Sequence, residues 1–311
     1  MNIIIVGAGL SGLVAAQTLT QNGHNVKIIE KGRGVGGRMA SKTIGLARFD
    51  YGTQYFSAKT PDFQQFVKKL VALDIIKSWQ IEGLEYERYI GTGGMSGIAK
   101  YLAKDIDLHN AEKVISIENQ QEKALLKTDL GNHYVADVLV LTSPLPQSLE
   151  LLATGNIPLT TDVTEKLKNI EYDPCLAMMI QPKTKLEIGK FGGLITDNAD
   201  ISWVADNQTK GISDVPSITV HASAKFSKLH LNDDVEVAGN LLIQSVLGLL
   251  PDLQIESYKL HRWRYSLAAV RQEASFLTSN LGFPIYFGGD AFGIGNIEGA
   301  FLSGLAIGND I

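Results

Sequence analysis

The sequence predicts an α/β fold: a parallel-sheet domain assembled from both ends of the chain and interrupted by a strand-rich α+β insertion. Three observations predict it. Ile3-Ile4-Ile5-Val6 is a continuous apolar run, the pattern of a strand buried on both faces of a parallel sheet. It leads directly into Gly7-x-Gly9-x-x-Gly12 and a helical pattern, after which Val26–Glu30 reads as a second strand. Glycine-rich sequence then returns near the other end, at Gly288–Gly299.

Taken in order, Leu10–Gln21 reads as a helix that Asn22-Gly23 stops. Thr60-Pro61 opens another, with proline at its first position and Phe63, Phe66, Val67, Leu70 and Val71 at helical spacing. Lys113–Glu118, Ala124–Thr128 and His133–Thr142 read as three consecutive strands, a β-meander whose turns carry Asn119-Gln120-Gln121 and Asp129-Leu130-Gly131-Asn132. Ser143-Pro144-Leu145-Pro146 ends regular pairing. From about residue 176 to 264 strand candidates dominate, among them Ser217–Ala222 and Ser257–Tyr265, broken by one amphipathic helix over about Asp234–Leu250. Ile285-Tyr286-Phe287 is a short strand, and Asn296–Asn309 a closing helix. The expected division is 1–60, 91–152 and 280–311 in a dinucleotide-binding domain, with 61–90 and 153–279 in a substrate domain.

Composition narrows the function. A chain of 311 residues is long enough for one large or two moderate cores. The single Cys175 cannot form an internal disulfide or supply a thiolate metal cluster, and no metal is expected. A net charge of −5 argues against a general nucleic-acid binder, whose affinity rests on neutralising phosphates. The longest apolar runs are far shorter than the roughly 20 residues of a membrane helix. Met1-Asn2 meets the first strand without a basic leader segment. The expectation is a cytoplasmic protein acting on small molecules.

The chemistry lies in the glycine motifs. Gly7, Gly9 and Gly12 permit a tight turn and bring a helix N-terminus against a diphosphate without an intervening side chain. Glu30, 18 residues beyond Gly12, can accept hydrogen bonds from ribose hydroxyls. The next segment, Lys31-Gly32-Arg33-Gly34-Val35-Gly36-Gly37-Arg38-Met39, adds a second glycine loop followed by arginine. A simple NAD dehydrogenase has no need of it, whereas a larger dinucleotide can use both the close backbone and the guanidinium. Gly288-Gly289-Asp290 ends a strand in a glycine–acid turn, with Asp290 available to hydroxyls or to backbone N–H groups. Glu298-Gly299-Ala300 lies in the first turn of the last helix, whose N-terminus carries unpaired N–H groups and partial positive charge. Glu298 can serve that helix dipole while neighbouring amides hold a ligand. In His261–Tyr265, alternation puts His261, Trp263 and Tyr265 on one face and Arg262 and Arg264 on the other. The segment reads either as a half-buried core strand or as an aromatic wall with arginine available to an anionic substrate. His221 lies on another alternating strand, where an isolated histidine is more often structural.

These residues resemble a known group. Gly7–Gly12, Glu30 and Gly36-Gly37-Arg38 look like the FAD signature of the amine oxidase and phytoene desaturase superfamily, and the resemblance is strongest toward its renalase branch. It continues through Asp50-Tyr51-Gly52-Thr53-Gln54-Tyr55-Phe56, Gly94-Met95-Ser96, Pro144-Leu145-Pro146-Gln147, Ile218–His221, His261–Ser266 and Gly288-Gly289-Asp290. The resemblance implies a Rossmann-type FAD-binding domain of the glutathione-reductase kind, with a three-stranded β-meander, plus a strand-rich α+β substrate domain. It implies FAD held by Gly7, Gly9, Leu10, Ser11, Gly12, Glu30, Lys31, Gly37, Arg38, Met39, Gly52, Thr53, Gln54, Val114, Gly289, Asp290, Glu298, Gly299 and Ala300. Catalytic candidates are Trp263, Arg264, His261, His221 and Gln54. Cys175 lies more than a hundred residues before the Gly288 turn, unlike the flavin-linked cysteine of monoamine oxidases, so non-covalent FAD is expected.

The activity implied is oxidation of 2- or 6-dihydro isomers of β-NAD(P)H to NAD(P)+, with O2 as acceptor and H2O2 as product. Such a substrate is a neutral dihydropyridine, so its oxidation asks for no protein acid or base. Two alternatives stand beside it. Amine oxidases hold the amine between two aromatic rings, one of them two residues before the Glu-Gly-Ala segment, where this chain has Asn296. The other alternative is a flavoprotein with a binding role and no turnover.

Overall fold

In a computed structural model of the chain, which describes residues 1–84 and 86–311, the two chain ends form one sheet. Its six strands lie in the order Leu277–Asn280, Pro284–Phe287, Val138–Leu141, Asn2–Val6, Asn25–Glu30, Asp107–Asn110. All neighbours are parallel except the first pair. Both faces are covered at the centre of the sheet, which is why the strands Asn2–Val6 and Val138–Leu141 carry apolar runs without alternation. Ile3, Ile5, Val138 and Val140 pack under the helices Leu10–Gln21 and Asn296–Asp310. Ile4, Val6, Leu139 and Leu141 pack on the other side against the meander and the helix Leu145–Thr154. Each fully buried isoleucine or leucine contributes about 1.5–3 kcal/mol of transfer free energy to this layer.

The meander consists of Val114–Gln120, Lys123–Thr128 and His133–Ala136. The expected single strand His133–Thr142 is therefore two. At Asp137 the chain crosses to the parallel sheet: its N–H donates to the Asn2 carbonyl and its carboxylate accepts the Asn2 N–H, both at 2.8 Å. Beyond that point all four residues Val138–Leu141 are buried, the two-sided burial of a central strand. The helix Leu145–Thr154 is one the sequence reading did not anticipate; its prolines precede and open it.

The insertion folds as a five-stranded antiparallel sheet in the order Gly193–Ile195, Ile201–Asp206, Ile218–Ala222, Glu171–Pro182, Ile255–Val270. One face carries Leu176, Met178, Ile180, Val204 and Val220 and packs on the helices Ala224–His230 and Val235–Leu249. The other, carrying Met179, Thr219, His221, His261 and Trp263, is turned toward the dinucleotide-binding half, where Met179 meets Ala47 and Phe49. The helix Pro61–Ala72 joins the first core: Phe63 and Phe66 lie 5.2 and 4.6 Å from the Phe301 ring.

The helices Leu10–Gln21 and Asn296–Asp310 cross at small residues. A Cβ on Gly304 would sit 2.3 Å from the Ser11 carbonyl oxygen, and one on Gly308 2.5 Å from Thr18 Cβ. The helix that opens the fold is thus seated on the helix that closes it, and both start at the same end of the sheet.

Candidate active site

The first glycine turn is shaped by its backbone. Gly7 has φ +110°, and a Cβ on Gly12 would lie 2.1 Å from the Gly7 carbonyl oxygen, so neither position accepts a side chain. Gly9 caps the following helix without a side-chain acceptor, and a Cβ there would meet nothing within 4 Å. Its N-terminal N–H groups therefore look into open space, and nearby Ser11 Oγ is buried with no hydrogen-bond partner. The second glycine loop closes on the first: the Gly36 N–H donates to the Ala8 carbonyl at 2.8 Å, and a Cβ on Gly37 would lie 3.8 Å from Gly9 Cα.

Glu30 ties these loops together. Its Oε2 accepts the Ala8 N–H at 2.8 Å and its Oε1 the Gly32 N–H at 2.6 Å. Two of the roughly four acceptor positions of a carboxylate are thereby used, which leaves others for ribose hydroxyls. Val114 opens the meander beside it, since the N–H groups of Ala111 and Glu112 donate to the carbonyls of Gly32 and Glu30. Lys31 is exposed and donates to Gln147 Oε1 at 2.7 Å. Leu10 and Met39 are core side chains, so what they offer a ligand is backbone.

Arg38 was expected to face a diphosphate. The structure places it on Asp290 instead, in a two-pronged ion pair with both N···O distances at 2.6 Å. The guanidinium lies over the Tyr172 ring, and burial with the Asp290 charge pushes the Tyr172 hydroxyl up to about 12. Asp290 is thus a partner of Arg38 across the two glycine turns. Gly289 has φ +132°, and its N–H donates to Ser303 Oγ at 2.9 Å. Glu298 is buried in the first turn of its own helix and also serves a neighbouring chain segment, accepting the N–H groups of Thr60 at 2.6 Å and Lys59 at 3.1 Å. Gly299 is confined by the Phe292 carbonyl, and Ala300 is buried beside it.

The segment Asp50–Tyr55 crosses the inner face of the antiparallel sheet. Tyr51 stacks on Trp263 with centroids 5.2 Å apart and 18° between planes, and His261 meets both rings edge-on. The Tyr51 carbonyl accepts Trp263 Nε1–H at 2.8 Å and lies 3.3 Å from His221 Nε2. A Cβ on Gly52 would lie 2.0 Å from the Arg38 carbonyl oxygen and 3.3 Å from Trp263, and the Thr53 N–H donates to that same carbonyl. Gln54 Nε2 donates to the carbonyls of Asp50 and Gly52 at 2.6 and 3.0 Å. Gln54 Nε2 and His221 Nε2 are therefore turned to the backbone of this segment, while Gln54 Oε1 is buried without a hydrogen-bond partner.

Among the sequence candidates, Trp263, His261, His221 and Gln54 come together here, and Arg264 does not. Strand alternation turns it to the opposite face of the sheet, where Nη2 donates to Asn232 Oδ1 at 3.1 Å. Two participants were missed. Tyr51 lies inside a motif quoted above, but nothing local said that its ring would face Trp263. Lys210, fully buried, donates to the equally buried Asp50 at 2.8 Å across 160 residues of chain.

Burial lowers the His221 imidazole to about 4, helped by the Lys210 charge and opposed by the Tyr51 carbonyl. Burial, with the Lys42 charge, lowers His261 too. A histidine that ionises at about 4 when folded and near 6.5 when unfolded stabilises the fold above 6.5. That contribution is lost as pH falls from 6.5 toward 4, because the unfolded chain takes up the proton first. Unfolding titrations should show this slope, flattened in His221→Gln; an unchanged slope would remove His221 from the account.

Residues 68–311 match the family of flavin containing amine oxidoreductases, and residues 5–70 match a NAD(P)-binding Rossmann-like domain. The chain belongs to the flavin containing amine oxidoreductase family. Renalase from Mus musculus is 26% identical over 98% of this chain and 97% of its own. Putrescine oxidase from Kocuria rosea is 35% identical, over 35% of this chain and 19% of its own. Among solved structures, a putative protoporphyrinogen oxidase from Exiguobacterium sp. 255-15 superposes with TM-score 0.75 at 12% identity, covering 99% of this chain and 98% of that one. Putrescine oxidase bound to putrescine gives 0.73 at 15%, covering 100% and 99%. At these identities the two structures speak for the fold alone.

FAD is the cofactor of this flavin containing amine oxidoreductase, and the residues fit it. The uncapped helix start at Gly9, the orphaned Ser11 hydroxyl and the Glu30 carboxylate suit a dinucleotide diphosphate and its ribose. Cys175 is a poor candidate for a flavin bond, because burial pushes its thiol up to about 12. Acid precipitation should accordingly leave all the yellow colour in the supernatant; colour on the pellet would reveal a covalent linkage.

Proposed function

We propose that the protein is a renalase-type oxidase that converts 2- or 6-dihydro isomers of β-NAD(P)H to NAD(P)+, with O2 giving H2O2. The observation that carries the reading is the uncharged wall of Tyr51, His261 and Trp263 on the inner sheet face, beside the glycine-lined Gly52–Thr53 segment. When bound, FAD supplies the hydride acceptor and the path of the electron pair to O2. The chain's own part is to stack and orient. Trp263 and Tyr51 offer flat aromatic surface to a dihydropyridine ring, and the Trp263 Nε1–H bond to the Tyr51 carbonyl fixes its tilt. Both imidazoles on this face are lowered by burial, in keeping with a substrate that needs no proton moved. Such a wall gains rate by holding the correct ring carbon in place, so ordinary 4-dihydro-NAD(P)H should react poorly. Similarity to renalase along nearly the whole chain supports the same reading, and a cytoplasmic setting belongs to it. Among the described residues, no helix is long and apolar enough to cross a membrane.

Anaerobic mixing with individually prepared 2-, 4- and 6-dihydro isomers, followed at the flavin band, tests the proposal. Rapid bleaching by the 2- or 6-isomer supports it. Bleaching by amines with none by these isomers would favour the amine-oxidase reading, in which Asn296 stands where the second aromatic ring is expected. Bound flavin that answers to neither would favour a binding role. In the same assay Trp263→Ala should slow reduction severalfold, since an aromatic contact is worth about 0.5–1.5 kcal/mol beyond burial. Arg264→Ala should leave the rate alone, because its guanidinium faces Asn232.

A further inference from the structure

A groove of ≈ 340 Å³ opens where the hairpin Ser41–Asp50, the start of the helix Val235–Leu249 and the outer strand Ile255–Val270 converge. Lys42, Lys259, His261 and Glu236 are among its walls. It is continuous with the aromatic wall through the strand itself. Residues 259, 261 and 263 point to one face, opposite Met179, Ala177 and Cys175 of the neighbouring strand. The row Trp263, His261, Lys259 thus runs from the stack into the groove, with His261 belonging to both. At about 3.3 Å per residue, Lys259 lies roughly 13 Å along the strand from Trp263, a distance that a lysine side chain shortens.

Lys42 enters from the hairpin, near enough for its charge to add to the burial that lowers His261. Both lysines are exposed, and neither has a carboxylate within 4.0 Å among the described residues. Glu236, in the first turn of its helix, lines the same groove without pairing with either. Two cations without an ion-pair partner, one from the hairpin and one from the strand, in line with a neutral aromatic stack, match a molecule with a flat uncharged ring at one end and negative charge farther along.

We infer that this groove is the subsite for the anionic part of the substrate, with Lys42 and Lys259 holding its diphosphate while the reactive ring lies at Trp263. The inference rests on the dihydronicotinamide dinucleotide reading above and adds what separates a dinucleotide from a bare dihydronicotinamide.

The test uses the FAD-loaded protein and the Lys42→Ala/Lys259→Ala double variant. Dihydronicotinamide adenine dinucleotide (2- or 6-isomer) is compared with the corresponding riboside, which lacks phosphates, by anaerobic stopped flow. The wild type should prefer the dinucleotide, and that preference should fall about tenfold in the double variant, the size that two exposed charge contacts can reach. Raising ionic strength should erode the wild-type preference and leave the variant's little changed. Equal losses for dinucleotide and riboside, or no loss for either, would overturn the subsite. Should neither compound bleach the wild-type flavin, the dihydronicotinamide reading fails by itself. The groove is then judged by calorimetry with ADP-ribose: binding weakened in the double variant sustains it, and binding absent or unchanged overturns it.

Discussion

Replacing Lys210 by methionine should lower the melting temperature of the protein by about five to eight degrees. Lys210 and Asp50 are both fully buried, and the ammonium is the only cation paired with that carboxylate among the described residues. Methionine keeps the length of the side chain and removes the charge. Asp50 would retain the Met95 N–H and the Ser41 hydroxyl as donors but face an apolar interior uncompensated. Breaking a buried pair from one side costs about 3–5 kcal/mol, and with an unfolding entropy of about 2.1 cal/mol/K per residue one kcal/mol moves the midpoint of a chain this long by about 1.5 °C. The double change Asp50→Asn/Lys210→Met should be much milder, because no charge is stranded. A Lys210→Met protein that melts within a degree of wild type would show that the pair contributes little. Flavin content should fall as well. The Asp50 carbonyl accepts from both Gln54 and Thr219, so the segment carrying Gly52 and Thr53 is seated through this residue.

Glu30→Ala should weaken FAD binding by about 1.5–3 kcal/mol, a hydrogen bond to a charged group being of that size. This corresponds to a dissociation constant raised by about ten- to 150-fold. The carboxylate also clamps the N–H groups of Ala8 and Gly32, so its loss loosens both glycine turns. Glu30→Gln should fall between, since an amide oxygen can still accept from one of them. Titration of flavin-stripped protein with FAD, read by quenching of flavin fluorescence, gives the constants directly. Equal affinity in wild type and Glu30→Ala would mean that the ribose is held elsewhere.

Much of this site was legible in the chain because its parts are local. The strand, turn, helix and second strand over residues 2–30 follow from apolar runs, glycine spacing and a terminal acid. The Asn296–Asp310 helix and the 235–249 helix follow from periodicity in the same way. Sequence alternation also separated His261 and Trp263 from Arg262 and Arg264. It could not say which face would look inward, because that depends on Tyr51, more than 200 residues away. The same limit hid the Arg38–Asp290 pair: each residue is polar and follows glycines, and their meeting depends on two turns brought together by the parallel sheet. Lys210 had no local signal at all. A lysine before glycine reads as a surface turn until the carboxylate that neutralises it is known. The break at Asp137 was missed for a different reason, since period-two and continuous apolar patterns merge where two short strands abut.

The parallel sheet draws strands from both ends of the chain, and the helix Leu10–Gln21 rests on the helix Asn296–Asp310. That arrangement sets an order on biosynthesis. A ribosome adds about 5–20 residues per second, so on the order of tens of seconds separate the appearance of the first glycine turn from that of the helix that supports it. The antiparallel sheet of residues 171–270 is complete earlier and can fold while its host is still open. Throughout that interval the face of the helix Leu10–Gln21 that meets Asn296–Asp310 lacks its partner, which leaves the nascent first βαβ unit in need of shielding by chaperones.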